Sequence, residues 1–198
     1  MRKLTEVNRT AYRKSGKEHT LYHLQLKDSW KSDFWLHLEM NGRATLGDLD
    51  HFLRAVWLEC CGRLSRFSVG GWRGEEILMK MRAEQVFEPG IELTHIYDFG
   101  TPSMTLIKEV EARQGKPLTS YPIFLMARNS PPEVYCTECE QPASCLCFEC
   151  LNELNEPGTL CDQHAEVHPH EDYGEPVPLV NSPRMGLCGY EGPAEPPY

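Results

Sequence analysis

Between residues 136 and 170 the chain reads "CTEC", "CFEC", "CDQH" and "HPH", with Cys145 interposed. A Cys-x-x-Cys or Cys-x-x-His turn aims two donors at one centre about 2.0 to 2.3 Å away, the distance zinc needs. Two such pairs fill one tetrahedral shell, so four pairs make two. The candidate ligands are Cys136, Cys139, Cys147, Cys150, Cys161, His164, His168 and His170, and the expected cofactor is zinc, as two structural ions. With every position taken by protein, no place remains for a catalytic water. Cys145 could replace Cys147, and Cys188 could displace His170 if the tail folds back.

Two other chemistries compete for these cysteines. A redox dithiol needs a helix start that stabilises the thiolate, whereas "CFEC" sits among glutamates, which raise a thiol pKa. A disulfide set needs an oxidising compartment. The basic start, "MRKLTEVNRTAYRKSGKEH", is followed by no apolar segment of a secretory signal, and no stretch approaches the roughly 18 apolar residues of a membrane span. A cytoplasmic setting is therefore expected, with no membrane partner. Energy favours metal as well. Residues 134–190 carry few large apolar side chains, chiefly Phe148, Leu151, Leu154, Leu160, Val167 and Leu179. A structural zinc supplies on the order of 10 to 16 kcal/mol of apparent binding energy, which becomes folding energy.

Charge divides the chain. Residues 131–198 hold one basic residue, Arg184, against 13 acidic ones, while the preceding 130 balance at +3. Eleven of the 15 prolines also lie in the second part. The predicted organisation is a basic N-terminal arm (1–18), an α+β domain (19–130), an acidic Cys/His zinc module (131–190) and a flexible tail (191–198). The acidic part repels nucleic acid, whose binding depends on neutralising phosphates; the N-terminal half keeps that option through Arg2, Lys3, Arg9, Arg13, Lys14 and Lys17.

"LYHLQLK" (21–27) and "FWLHLEM" (34–40) alternate with the period of two of half-buried strands and form a hairpin. "TLGDLDHFLRAVWLECC" changes period: Leu46, Leu49, Leu53, Val56 and Trp57 make one helical face. Thr45 is its N-cap, Asp48 returns the bond, and Gly62 can end it. Four later strand-like runs, "RFSVGG", "IELTHIYDFG", "SMTLIKEVEAR" and "YPIFLMARN", are bounded by Gly or Pro. Residues 75–86 suit a short helix or an irregular insert. The fold class is α+β, a mostly antiparallel sheet with one main amphipathic helix, followed by a small zinc-stabilised module.

No nucleophile elbow, phosphate loop or dinucleotide fingerprint occurs, and "DFG" (98–100) lacks the other kinase signatures. His23, His37 and His95 read as half-buried sheet residues, with His95 and Asp98 on opposite strand faces. At least one of Cys60 and Cys61 reads as core packing. No catalytic residue is expected, and the chain reads as no enzyme.

The hairpin, "TLGDLDHFLRAVW", "F.VGG" and the "YDFG" that opens a long hairpin together resemble the plasmid pRiA4b ORF-3-like family, also called TnpR-like passenger proteins, over roughly residues 20–128. The resemblance implies architecture rather than an activity. The helix here is followed by "RLSRF" instead of a His-rich stretch, and "YDFGTPSMT" lacks the second acid, Trp and His of the family signature. The Cys/His spacing resembles a B-box zinc domain. That likeness implies interleaved pairs: Cys136, Cys139, Cys161 and His164 on one ion, and Cys147, Cys150, His168 and His170 on the other. The expected function is a non-enzymatic zinc-binding adaptor for an unidentified protein partner. A nucleic-acid-associated accessory factor of a mobile element is the alternative, and a zinc-dependent hydrolase the third reading.

Overall fold

The computed structural model describes residues 17–57, 62–169 and 172–187. The basic arm up to residue 16, Cys60, Cys61, His170, Cys188 and the tail 191–198 lie outside the described residues.

The two alternating runs become β1 (His19–Asp28) and β2 (Trp35–Asn41). They pair antiparallel, with Leu24 opposite Leu38 and Leu26 opposite Leu36. Tyr22, Leu24, Leu26, Leu36, Leu38 and Met40 are all buried, because the pleat sends alternate side chains to one face. Asp28 closes the connection: its carboxylate accepts from the amides of Trp30 (3.0 Å) and Lys31 (2.6 Å), as short acidic side chains do in turns.

Helix α1 (Leu46–Trp57) starts on the expected reciprocal cap. The Thr45 amide donates to the Asp48 carboxylate at 2.7 Å, and the Asp48 amide donates to Thr45 Oγ1 at 3.1 Å. The buried stripe contains the five expected residues plus Phe52, which widens it to the arc a core-facing helix presents. Each large side chain fully buried here stabilises the fold by about 1.5 to 3 kcal/mol.

Strands β3 (Ser65–Val69), β4 (Glu75–Ile77), β5 (Glu92–Tyr97), β6 (Ser103–Gly115) and β7 (Ile123–Arg128) complete one antiparallel sheet in the order β4-β3-β5-β6-β1-β2-β7. The fold is α+β, as expected. Residues 75–86 divide into β4 and a turn of helix, α2 (Ala83–Val86). Among the described residues, the core cluster runs from Tyr22 to Ile123 with Leu125 packed against it, so it is built without the Cys/His region.

That region has a second, small sheet of β8 (Cys145–Leu146), β9 (Thr159–Leu160) and β10 (Val177–Pro178), in the order β10-β8-β9. A π-turn (Cys150–Leu154) and a short helix α3 (Asp162–Glu166) join its parts. Its cluster is Cys136, Cys147, Cys150, Leu160 and Cys161, with Cys139 and Ala165 against it. Sulfur stands where a core would have hydrocarbon. Residues 182–184, read from the sequence as part of the acidic module, are instead buried and hydrogen-bonded to the α+β domain.

Candidate metal centre

The ribbon of β8 and β9 sets the positions of the donors. Cys145 pairs with Leu160 and Leu146 with Thr159, antiparallel. Cys147 therefore leaves β8 at the end where β9 begins, beside Gly158, whose carbonyl accepts the Cys147 amide at 2.8 Å. Cys161 leaves β9 at the opposite end, beside Ser144. One ribbon so separates the two cysteines, and each recruits the donors at its own end.

At the first end the "CTEC" turn is tied to β9 by the Thr137 amide, which donates to the Thr159 carbonyl at 2.8 Å. Cys161 is the N-cap of α3, whose first turn carries His164 back over it. His164 Nδ1 lies 3.3 Å from Cys136 Sγ, 3.5 Å from Cys139 Sγ and 3.3 Å from Cys161 Sγ, and the last two sulfurs are 3.9 Å apart. At the other end Cys147, Cys150 and His168 converge, with Cys150 Sγ 3.3 Å from His168 Nε2. The donor atoms of each group lie within 4.8 Å of one another. Both groups could hold a metal ion. Cys145 belongs to neither, and its sulfur accepts from Ser144 Oγ at 3.8 Å.

Gly158 permits the second group. Its φ is +65°, and a Cβ there would fall 2.6 Å from the Cys147 carbonyl and 3.0 Å from Cys150 Cβ, so only glycine lets the ribbon approach the cysteine turn.

The thiols are unequal. Burial opposes ionisation of Cys136, yet backbone hydrogen bonds at Cys161, Glu138 and Cys139, with His164, bring it down to about 6. The Gln141 amide favours the Cys139 thiolate, but burial and the neighbouring Cys136 and Cys161 sulfurs raise it on balance. Burial first, then Cys147, Glu156 and Glu149, push Cys150 up to about 11. Several thiolates in one shell repel each other, and a cation is what lets them ionise together.

The α+β domain gathers other polar groups. His23 Nε2 and His37 Nδ1 are 2.7 Å apart across the hairpin, both half-buried, and burial followed by His23 and Lys27 lowers the His37 pKa. His95 departs from expectation: it is fully buried, and its Nε2 bonds Asp50 Oδ1 of α1 at 2.8 Å. Ser65 Oγ donates to the same oxygen at 2.6 Å, while Arg54 Nε donates to Asp50 Oδ2 at 2.7 Å. Burial alone would raise the Asp50 pKa; His95, Arg54 and Ser65 outweigh it and hold the carboxyl far below its usual range. The i, i+4 spacing of Asp50 and Arg54 was the available sequence signal for this network.

Fold and site together define an antiparallel α+β domain followed by a module with two Cys/His groups able to hold metal. No protein-family model matches the chain, and no curated protein matches it. A solved structure of a protein of unknown function from Methanosarcina mazei Go1 is similar at 20% identity and a TM-score of 0.48, over 56% of this chain and 69% of that one. Among the described residues, no helix is long and apolar enough to cross a membrane.

Proposed function

We propose that this is a non-enzymatic, cytoplasmic zinc-binding interaction protein related to the plasmid pRiA4b ORF-3-like proteins. The observation that carries this reading is the spacing of the four donors at the first end of the ribbon. Around zinc, bond lengths of about 2.3 Å to sulfur and 2.0 Å to nitrogen give tetrahedral edges of about 3.8 Å between sulfurs and 3.5 Å from sulfur to nitrogen. The sulfur–sulfur distance of 3.9 Å and the sulfur–nitrogen distances of 3.3 to 3.5 Å match those edges. A disulfide would need sulfurs about 2.05 Å apart. Four protein donors close the shell, which favours a structural ion. Cys147, Cys150 and His168 would hold the second zinc, with His170 as the expected fourth ligand.

The surface of the module supports a protein partner. Its one basic side chain, Arg184, is buried, so what faces water is predominantly acidic. Purified without chelator, the protein should carry two zinc ions per chain by elemental analysis. Cys139→Ser should cost more than one equivalent, because both groups depend on one ribbon, and Cys145→Ser should cost none. A wild type with one zinc per chain, still held when His164, His168 and His170 are all changed to Ala, would instead indicate a single four-cysteine site built from the first two pairs.

A second reading, nucleic-acid association, has one observation in its favour. Trp72 and Phe99 are exposed and meet edge to face at 5.9 Å, with the Arg66 guanidinium 5.8 and 5.9 Å from their rings. Bases stack on such platforms at about 1 to 3 kcal/mol each. Submicromolar, salt-dependent binding of a single-stranded oligonucleotide that Trp72→Ala abolishes would move the assignment to this reading.

A further inference from the structure

After β10 the chain leaves the acidic module and returns to it. The Leu179 amide still donates to the Ser144 carbonyl at 2.8 Å. At Gly186, with φ +87°, the chain is back: a Cβ there would lie 2.8 Å from Leu151 and 3.8 Å from Leu146. Between these anchors, Asn181 to Arg184 enter the α+β domain.

Each contact meets a group the domain offers. Ser182 Oγ donates to the carbonyl of Trp57, the last described residue of α1, at 2.6 Å. Asn129 Nδ2 donates to Asn181 Oδ1 at 2.8 Å, and Asn181 Nδ2 donates to the Asn129 carbonyl at 2.9 Å. Lys31 Nζ reaches the Pro183 carbonyl at 2.8 Å. Arg184 goes deepest. It donates to Ser103 Oγ at 2.7 Å and to the Thr101 carbonyl at 3.2 Å, and its guanidinium lies 4.9 Å from the centre of the Tyr97 ring. Asp98, at φ 60°, uses Oδ1 for the Gly100 and Thr101 amides and turns Oδ2 to Arg184 at 3.4 Å. Ser182 and Arg184 keep 1% and 3% of their surface exposed.

We propose that this groove is a docking surface for an Asn-Ser-Pro-Arg segment, that residues 181–184 occupy it in cis, and that metal in the module gates the occupancy. The gate rests on the metal reading above; the groove does not. The plug is a loop anchored at both ends beside residues that flank metal ligands: the Leu179 amide on the Ser144 carbonyl, and Gly186 against the side chains of Leu146, before Cys147, and Leu151, after Cys150. With metal held, both ends are fixed and the plug docks already ordered, at little entropic cost. When the metal's folding energy is lost, the plug becomes one flexible tether among the conformations of the module. Its effective concentration at the groove falls, and the groove opens to a segment of the same chemistry.

The test uses the full chain, a labelled peptide of residues 179–187 ("LVNSPRMGL"), hydrogen exchange and metal content measured together. Zinc-loaded wild type should bind no peptide and should exchange the Met185 and Leu187 amides slowly, since these bond the Ser182 and Arg184 carbonyls. Chelation should speed that exchange at least about tenfold and admit the peptide, and Asp98→Asn should weaken the binding at least about tenfold. Arg184→Ala, and independently Ser182→Ala, should keep the full metal content yet admit the peptide. The groove is overturned if these variants and the chelated chain all refuse the peptide. The gate is overturned if wild type that has lost its metal keeps the plug amides protected. A chain purified with no metal sinks the metal reading and its gate, while peptide binding by Arg184→Ala would still support the groove.

Discussion

Asp50 shows how one carboxylate can join a helix to a sheet. It sits on α1 and collects His95 from β5, Ser65 from β3 and Arg54 from its own next turn. Because these partners hold its pKa below the ordinary value of about 3.9, the sign of the pH effect follows. The stability it contributes is present in full above that ordinary value and drains away as pH falls further. Asp50→Asn should cost about 1 to 3 kcal/mol at neutral pH, the usual penalty for buried donors left without their acceptor. The difference from wild type should shrink as pH falls below about 4. Urea unfolding at pH 7 and pH 3 measures it, and an equal difference at both would mean that the charge on Asp50 contributes nothing. Arg184 is the other residue whose importance is local. It is the one cation in a segment of 13 acids, and it is spent inside the protein.

Among the elements, α1 carries the α+β core. Leu53 and Trp57 are essentially inaccessible to water, so Leu53→Ala or Trp57→Ala should each destabilise the domain by roughly 2 to 5 kcal/mol. Melting curves matching wild type for both would mean that the buried stripe is misplaced. The helix was legible in sequence because its cap, Thr45 with Asp48, and its three- and four-residue spacing agree. The strands were legible for the same reason, at period two. Residues 75–86 were not, because "EEILMKMRAEQV" satisfies neither period over enough length. Pairing with β3 decides that Glu75–Ile77 is a strand. The β8–β9 ribbon is too short to announce itself at all, with two residues on each side, and yet it sorts the cysteines.

At the scale of the whole molecule, the two parts differ in what keeps them folded. Chelation should open residues 134–190 to proteolysis while the α+β domain, whose core cluster among the described residues takes nothing from the module, remains folded. Rapid cleavage of the domain on chelation would contradict that independence. The sequence alone determined the period of each long element, the break in charge near residue 130 and the residue types able to hold metal, since those are properties of neighbours along the chain. Even the grouping of Cys136 with Cys161 came from likeness to a B-box rather than from the residues themselves. Tertiary structure decided which donors share an end of the ribbon, that His95 is buried against Asp50, and that Arg184 leaves the acidic module for a groove in the first domain. Such facts depend on groups 18 to 86 positions apart, and no periodicity or local spacing encodes a meeting at that separation; only the closing of the sheet and of the ribbon brings it about.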